Sequence, residues 1–313
     1  MYQNLVLTLK AKVMAKTVKA LTQIKKIQYD WVETNDSSKF KFERVSKYDK
    51  YAIYFKDIDD NIYKKLKAYN KEKYQNAKGH ELLSAEKEKE TNSYSKMKSI
   101  ISSSALVVNL FQYWQDNKKD ILSLLKALLP NYNYDTPSST TITFEEELQI
   151  KGINGATPNL DVIIELEDEI IAIESKFAEP YRSHTYKNLS TKYLTNNKLW
   201  EGLTKTQELA KKLENKYTHL DAAQLIKHIL GLKTDDKISN KNKKITLLYL
   251  WYNVPNSEEA KKHEEEIDEF AKIVGEDNIN FRHITYQEVI FYLKENHDSE
   301  HEDYINYLVE RYL

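Results

Sequence analysis

The hydrophobic rhythm of the chain changes near residue 140. Before that point apolar residues recur at helical spacing. A helix is expected within residues 2–28, and another over 58–78 with Ile62, Leu66 and Tyr69 on one side. The run SIISSSALVVNLFQYW (99–114) is too long for one strand and predicts a helix from about Ser103. It continues or restarts through Ile121–Leu129, where Pro130 stops it. Tyr51–Tyr54 is a short strand-like run, and the polar residues 84–98 read as a loop or linker. Residues 131–139, rich in Asn, Tyr, Pro and Ser, read as a turn region.

Beyond 140 the pattern turns to strands. Thr140–Ile150 is one, and Leu160–Leu166 and Ile170–Phe177 are two β-branched runs flanking Glu167-Asp168-Glu169, a hairpin. Residues 198–215 read as helical. Asp221–Leu232 is a further helix with Asp221 as N-cap and Gly231 near its end. The unbroken apolar run Ile245–Tyr252 predicts a buried central strand. An acidic helix over 257–274, a strand over 279–284 and a helix over 286–295 follow. The order β-β-β-α-α-β-α-β-α describes an α/β core, and no internal repeat is visible.

Composition narrows the function. The 313 residues are 41% hydrophobic and 30% charged, with a mean hydropathy of -0.69. That supports a real core, and no stretch approaches the roughly 18 apolar residues of a membrane span. The absence of cysteine excludes disulfides, thiolate zinc sites and cysteine nucleophiles. Lys10 and Lys12 interrupt the apolar start and no small-residue cleavage site follows, so no signal peptide is expected and the cytoplasm is the expected location. Six glycines and no phosphate-cradling loop argue against nucleotide-driven chemistry. The net charge of -1 conceals a segregation: residues 1–100 hold 22 Lys+Arg against 13 Asp+Glu, and residues 251–313 hold 6 against 16. A basic front is compatible with a polyanionic partner, as it is with plain solvated helices.

The sharpest constellation is Pro158-Asn159-Leu160-Asp161, followed after twelve residues by Glu174-Ser175-Lys176. Glu174 and Lys176 are two apart on a strand and share a face, while Ser175 points to the other. A turn centred between Glu167 and Asp168 sets Asp161 opposite Glu174, with Cβ atoms about 4.5–5.5 Å apart. Two such carboxylates repel unless a cation neutralises them, or the set is a cross-strand salt bridge. Oxygen-only ligands favour a hard ion, Mg²⁺ first, and a lysine beside it can orient water or stabilise charge on a phosphate. Acid-x-Lys triplets also occur at Asp116, Glu214, Asp235 and Glu259, but none lies on an apolar strand facing a second acid.

These residues resemble the PD-(D/E)XK nuclease superfamily, and within it a group of type II restriction endonucleases. The resemblance also runs through Gly79-His80-Glu81-Leu82, Lys96-Met97 with 99–114, PNLDVIIEL, AIESKFAEPY (172–181), LDAAQLIKHILGL (220–232), LLYLWYNVP (247–255) and ITYQEVI (284–290). It covers roughly 79–290. The motif's proline stands at 158 rather than immediately before Asp161. The resemblance implies a restriction-endonuclease-like α/β fold: a mixed central sheet of about four to five strands flanked by helices, with a mainly helical N-terminal region. Residues 79–313 are expected to form the nuclease domain; residues 1–78 carry no such resemblance, and their Lys and Tyr content is compatible with a basic region for DNA recognition or equally with a dimerisation arm.

The implied activity is Mg²⁺-dependent hydrolysis of double-stranded DNA, with Mn²⁺ able to substitute. Asp161 and Glu174 would hold the metal and Lys176 would assist the water. Glu81, or Glu147 or a neighbour in FEEEL, is the candidate additional acid. Gln224 and Lys227, three apart on the 221–232 helix, could reach the phosphate or the metal's water. Ser103 within Ser102–Ser104, with Asn109, Lys96 and Lys227, are candidate DNA contacts, and Glu179 could tune Lys176. A homodimer and a cognate DNA methyltransferase are the expected partners. The competing readings are a repair or recombination nuclease acting on ends or branches, and a non-cleaving DNA-binding protein on the same fold. His297 and His301, four apart, have no third well-placed metal ligand.

Overall fold

A computed structural model describes residues 19–35, 42–44, 53–77, 79–130, 135–155, 157–182 and 188–313. The elements, in chain order, begin with helix α1 (Ala20–Thr34), then a two-stranded antiparallel ribbon of β1 (Phe42–Arg44) and β2 (Ile53–Phe55). Helices α2 (Ala68–Asn76), α3 (Ala85–Thr91), α4 (Ser103–Asp116) and α5 (Ile121–Leu128) follow. Strands β3 (Thr141–Glu147), β4 (Asn159–Glu165) and β5 (Glu169–Lys176) come next. The remainder is α6 (Thr191–Leu194), α7 (Thr204–Ala210), α8 (Ala222–Thr234), α9 (Asp236–Ser239), β6 (Lys244–Trp251), α10 (Glu258–Gly275), β7 (Phe281–Thr285), α11 (Tyr286–Asn296) and α12 (Glu302–Tyr312).

The sheet has the order β3-β4-β5-β6-β7. β3, β4 and β5 form an antiparallel meander, and β5, β6 and β7 run parallel. Parallel neighbours need long crossovers, and these are supplied by residues 177–243 and by α10. Strand parity sorts the side chains into two apolar layers. Ile142, Phe144, Val162, Ile164, Ile171, Ile173, Leu248 and Leu250 belong to one layer, with α4, α5, α11, α12 and α1. Ile163, Ile170, Ala172, Leu247, Tyr249 and Trp251 belong to the other, with α7, α8 and α10. β6 is buried along most of its length between them, as its unbroken apolar run requires.

The elements after residue 140 fall within a few residues of their expected positions, apart from 198–215. There, a 3-10 turn at Asn197–Trp200 precedes the shorter α7. Three other expectations need correction. Residues 58–78 are not one helix: a 3-10 turn (Ile58–Asp60) and bends precede α2. The backbone N–H groups of Tyr63 and Lys67 are taken by the side chains of Asn109 and Gln112 on α4, which competes with helical pairing. Residues 84–98 are not all loop. Ser84 caps α3 by accepting from the Lys87 N–H, and Asn92 ends it in the left-handed conformation. The N-terminal helix extends to Thr34, and the part of its expected range before residue 19 lies outside the described residues. Residues 131–134 of the expected turn region also lie outside them.

Candidate active site

Strand register builds the site. Val162 pairs with Ile173 across β4 and β5, which sets Asp161 level with Glu174. Phe144 pairs with Val162 and Glu146 with Leu160, so Glu145 stands level with Asp161 on the other side. Three carboxylates thus lie in one row across three adjacent strands. The Ser175 N–H donates to Asp161 Oδ2 at 2.7 Å. Glu145 has φ +51 in mid-strand, and its carboxylate accepts from the side-chain amide of Asn159.

A fourth carboxylate arrives from the segment before α3. Ser104 on α4 donates to Glu81 Oε2 at 2.7 Å, and Lys96 Nζ lies 3.3 Å from Oε1. A Cβ on Gly79 would stand 2.7 Å from Glu81 Oε1, so a glycine there leaves the carboxylate its place. The Glu81 charge acts on Glu145, and both bear on the buried phenol of Tyr74.

Glu174 is 1% exposed, and each of its oxygens has a cationic or ring-nitrogen neighbour. Lys176 Nζ contacts Oε1, and His228 Nε2 lies 2.8 Å from Oε2. Lys176 also donates to Gln224 Oε1 at 3.0 Å. Burial alone would raise the Glu174 pKa, but Lys176 and His228 bring it down to about 2. Burial would likewise lower that of Lys176, but Glu174, Asp161 and Glu179 drive it upward, so the ammonium stays charged. Asp161 is pushed well up by burial and by the Glu174 charge. Glu145 is raised to about 8 by burial, Glu81 and Glu174. The cluster therefore holds more carboxyls than its lysine can balance, and without a further cation Glu145 and Asp161 tend to keep their protons. The donors are carboxylate oxygens only, and Glu174 Oε2 lacks a well-aligned hydrogen bond. This donor set fits a hard divalent cation.

The structure brings Asp161, Glu174, Lys176, Gln224 and Glu81 to one end of the sheet. Glu147, singled out in FEEEL, is exposed, and the acid that enters the cluster is its neighbour Glu145. Gln224 shares its contact region with His228, one turn on, rather than with Lys227. Glu179 accepts from the Phe177 N–H at 2.9 Å and adds its charge to those acting on Lys176.

The expected DNA contacts divide. Lys96 is exposed, while Ser103 and Lys227 are partly exposed. Asn109 is not available for DNA in this fold: it is 2% exposed and its amide joins Tyr63, Asn61 and Tyr312. Ser102 caps α4. His301 lies apart from His297, whose Nδ1 contacts the Leu293 carbonyl; Nδ1 of His301 contacts the Tyr113 hydroxyl at 2.8 Å. Asp120 and Glu300 stand beside His301, but Lys119 Nζ already sits 2.9 Å from Glu300 and 3.6 Å from Asp120.

Sequence reasoning reached Glu145 only as an unnamed neighbour of Glu147, gave Asn159 no role of its own and did not single out His228. FEEEL signalled an acid without its register. The four-residue spacing of Gln224 and His228 was the other available signal.

Residues 33–313 match the family described as Restriction Endonuclease associating with ARP. The chain belongs to that family. The restriction-endonuclease-like fold, a five-stranded mixed sheet flanked by helices, agrees with this membership. No curated protein and no solved structure matches the chain. Among the described residues, no helix is long and apolar enough to cross a membrane.

Proposed function

We propose that the chain is a Mg²⁺-dependent endonuclease of double-stranded DNA, a PD-(D/E)XK enzyme acting as a type II restriction nuclease. The observation that carries this reading is the convergence of Glu145, Asp161 and Glu174 in one row with Lys176 beside them. Asp161 and Glu174 would hold the cation, with Glu145 and Glu81 adjoining; Mn²⁺ would fit the same oxygen donors. The bound ion supplies Lewis-acid polarisation of the phosphate and a more acidic water. Lys176, held charged, is unsuited to act as a base and instead donates to the attacking water or to phosphate oxygen. Gln224 fixes the ammonium by accepting from it.

One such centre per chain serves one strand, so a homodimer is proposed for double-strand cleavage. A cognate methyltransferase would protect the host, and the family description suggests association with ARP as a further partner. The test is digestion of a known plasmid by the full chain with Mg²⁺ or with chelator, followed by end sequencing. Discrete ends that depend on metal are expected. Folded Asp161→Asn and Lys176→Ala proteins should each lose at least ~100-fold in rate. Wild-type rates in these variants would refute the site. Cutting confined to ends or branches would make it a repair enzyme, and DNA binding without nicking in Mg²⁺ or Mn²⁺ would make it a non-cleaving binder.

A further inference from the structure

The contact between α8 and Glu174 is the part of the centre that the proposed chemistry does not use. Asp221 caps α8 by accepting from the Gln224 N–H at 2.9 Å. From that start, Gln224 and His228 stand one turn apart on the same side of the helix. Gln224 reaches Lys176 and His228 reaches Glu174, so one helix face meets both Glu174 and Lys176 of β5.

Position 228 is an unfavourable place for an imidazole. It is fully buried, among Leu225, Ile226, Ile229, Leu230 and Leu232. Its Nδ1 has no hydrogen-bond partner, and Nε2 sits off the ideal line to Glu174 although only 2.8 Å away. A buried polar atom left this way is destabilising, because it has lost water and gained no partner. A leucine would fill the helix's apolar layer without that cost. Packing therefore does not account for His228, and its polar contact is with the Glu174 carboxylate.

That carboxylate needs a second constraint. The terminal torsion of a glutamate is broad, so burial of the stem does not by itself fix the plane of the oxygens. Lys176 touches one oxygen only. A neighbour on the other oxygen sets the plane, and outer partners of this kind orient metal-binding carboxylates.

We infer that His228 is a positioning residue of the acidic centre: through Nε2 it holds Oε2 of Glu174 and so fixes how that carboxylate presents itself to a divalent cation. The inference rests on reading the cluster as a metal centre. It does not require that the metal-loaded protein cut DNA.

The experiment compares His228→Leu, His228→Gln and His228→Asn in the full-length chain. A Gln side-chain nitrogen can occupy the place of Nε2, whereas an Asn nitrogen corresponds to Nδ1. Mn²⁺ alone is titrated calorimetrically, with Asp161→Asn as the baseline, and circular dichroism checks the fold. DNA cleavage supplies kcat and KM separately. His228→Leu and His228→Asn should weaken Mn²⁺ binding by ~10–100-fold, and His228→Gln should restore it to within about threefold of wild type. In cleavage, kcat should fall in the same order with KM for DNA little changed.

Unaltered Mn²⁺ affinity in folded His228→Leu would overturn the inference, as would equal behaviour of the Gln and Asn variants. If His228→Leu does not fold, the Gln and Asn pair decides. Wild-type protein that binds Mn²⁺ through Asp161 but leaves DNA intact would end the nuclease reading, while His228 would still be judged on binding. No Asp161-dependent binding in wild type would end both.

Discussion

Glu145 is the residue where local preference and site demand conflict most openly. A non-glycine residue at φ +51 within a strand costs on the order of 1–3 kcal/mol, and such strain is typically found at functional sites. Its carboxyl is also raised to about 8, first by burial and then by Glu81 and Glu174. The unfolded chain releases this proton near the ordinary glutamate value of about 4.3, so between that pH and about 8 the metal-free folded state binds a proton that the unfolded state does not. Stability should therefore fall as pH rises through that window, and Asp161, also raised, pulls in the same direction. In thermal melts with chelator, Glu145→Gln should flatten this fall and melt a few degrees above wild type at pH 8, with little difference at pH 4.5. Parallel curves for the two proteins would contradict the assignment. Asp161, Glu174 and Lys176 were legible because two-residue parity and one turn suffice to place them. Glu145 needed the register of a third strand. His228 needed the packing of a helix on the sheet, which periodicity along the chain does not contain.

At the scale of elements, α8 sets the height of Gln224 and His228 above β5. Gly231 looked like an end signal, yet the helix runs on to Thr234. The glycine is there for approach: a Cβ would stand 3.0 Å from Leu148 Cβ and 3.1 Å from Pro158 Cγ, beside the strand that carries Asp161. Gly231→Ala should gain nearly 1 kcal/mol of helix propensity but lose about 1–3 kcal/mol to overpacking. A net destabilisation in urea, with reduced cleavage although the residue touches no reacting atom, is the expected outcome. A more stable and fully active variant would show that the approach is slack. The strands and helices after residue 140 were largely readable because burial on one or two faces imposes a clean period. The stretch 58–67 was not, because side chains distant in sequence, Asn109 and Gln112, take its backbone hydrogen bonds. The cap pair Ser84 and Asn92 outweighed the polar composition that made α3 read as loop.

For the whole molecule, the near-zero net charge is the average of a basic front and an acidic back. Four arginines are present, and the structure removes one of them from any role on DNA. Arg311 is 1% exposed, with its guanidinium 4.5 Å from the Trp31 ring centre and donating to the Asn61 carbonyl at 2.8 Å and the Tyr307 hydroxyl at 2.5 Å. Burial would lower its pKa, but Tyr307 and Tyr312 push it upward. The planar fork cannot be reproduced by an ammonium, so Arg311→Lys should cost about 2 kcal/mol or more in chemical denaturation. A loss below 0.5 kcal/mol would refute this role. Gln28 on α1 joins the same knot through the Arg311 carbonyl, 283 positions away. During synthesis, then, Ala20, Ile24, Trp31 and Val32 emerge hundreds of residues ahead of the α12 segment that packs on their helix. A helix made early thus waits for one of the last segments of the chain to cover it. Closing so long a loop makes folding slow, and it leaves an adhesive apolar face open in the meantime. The yield of soluble protein should therefore respond to chaperone supply and to the rate of translation.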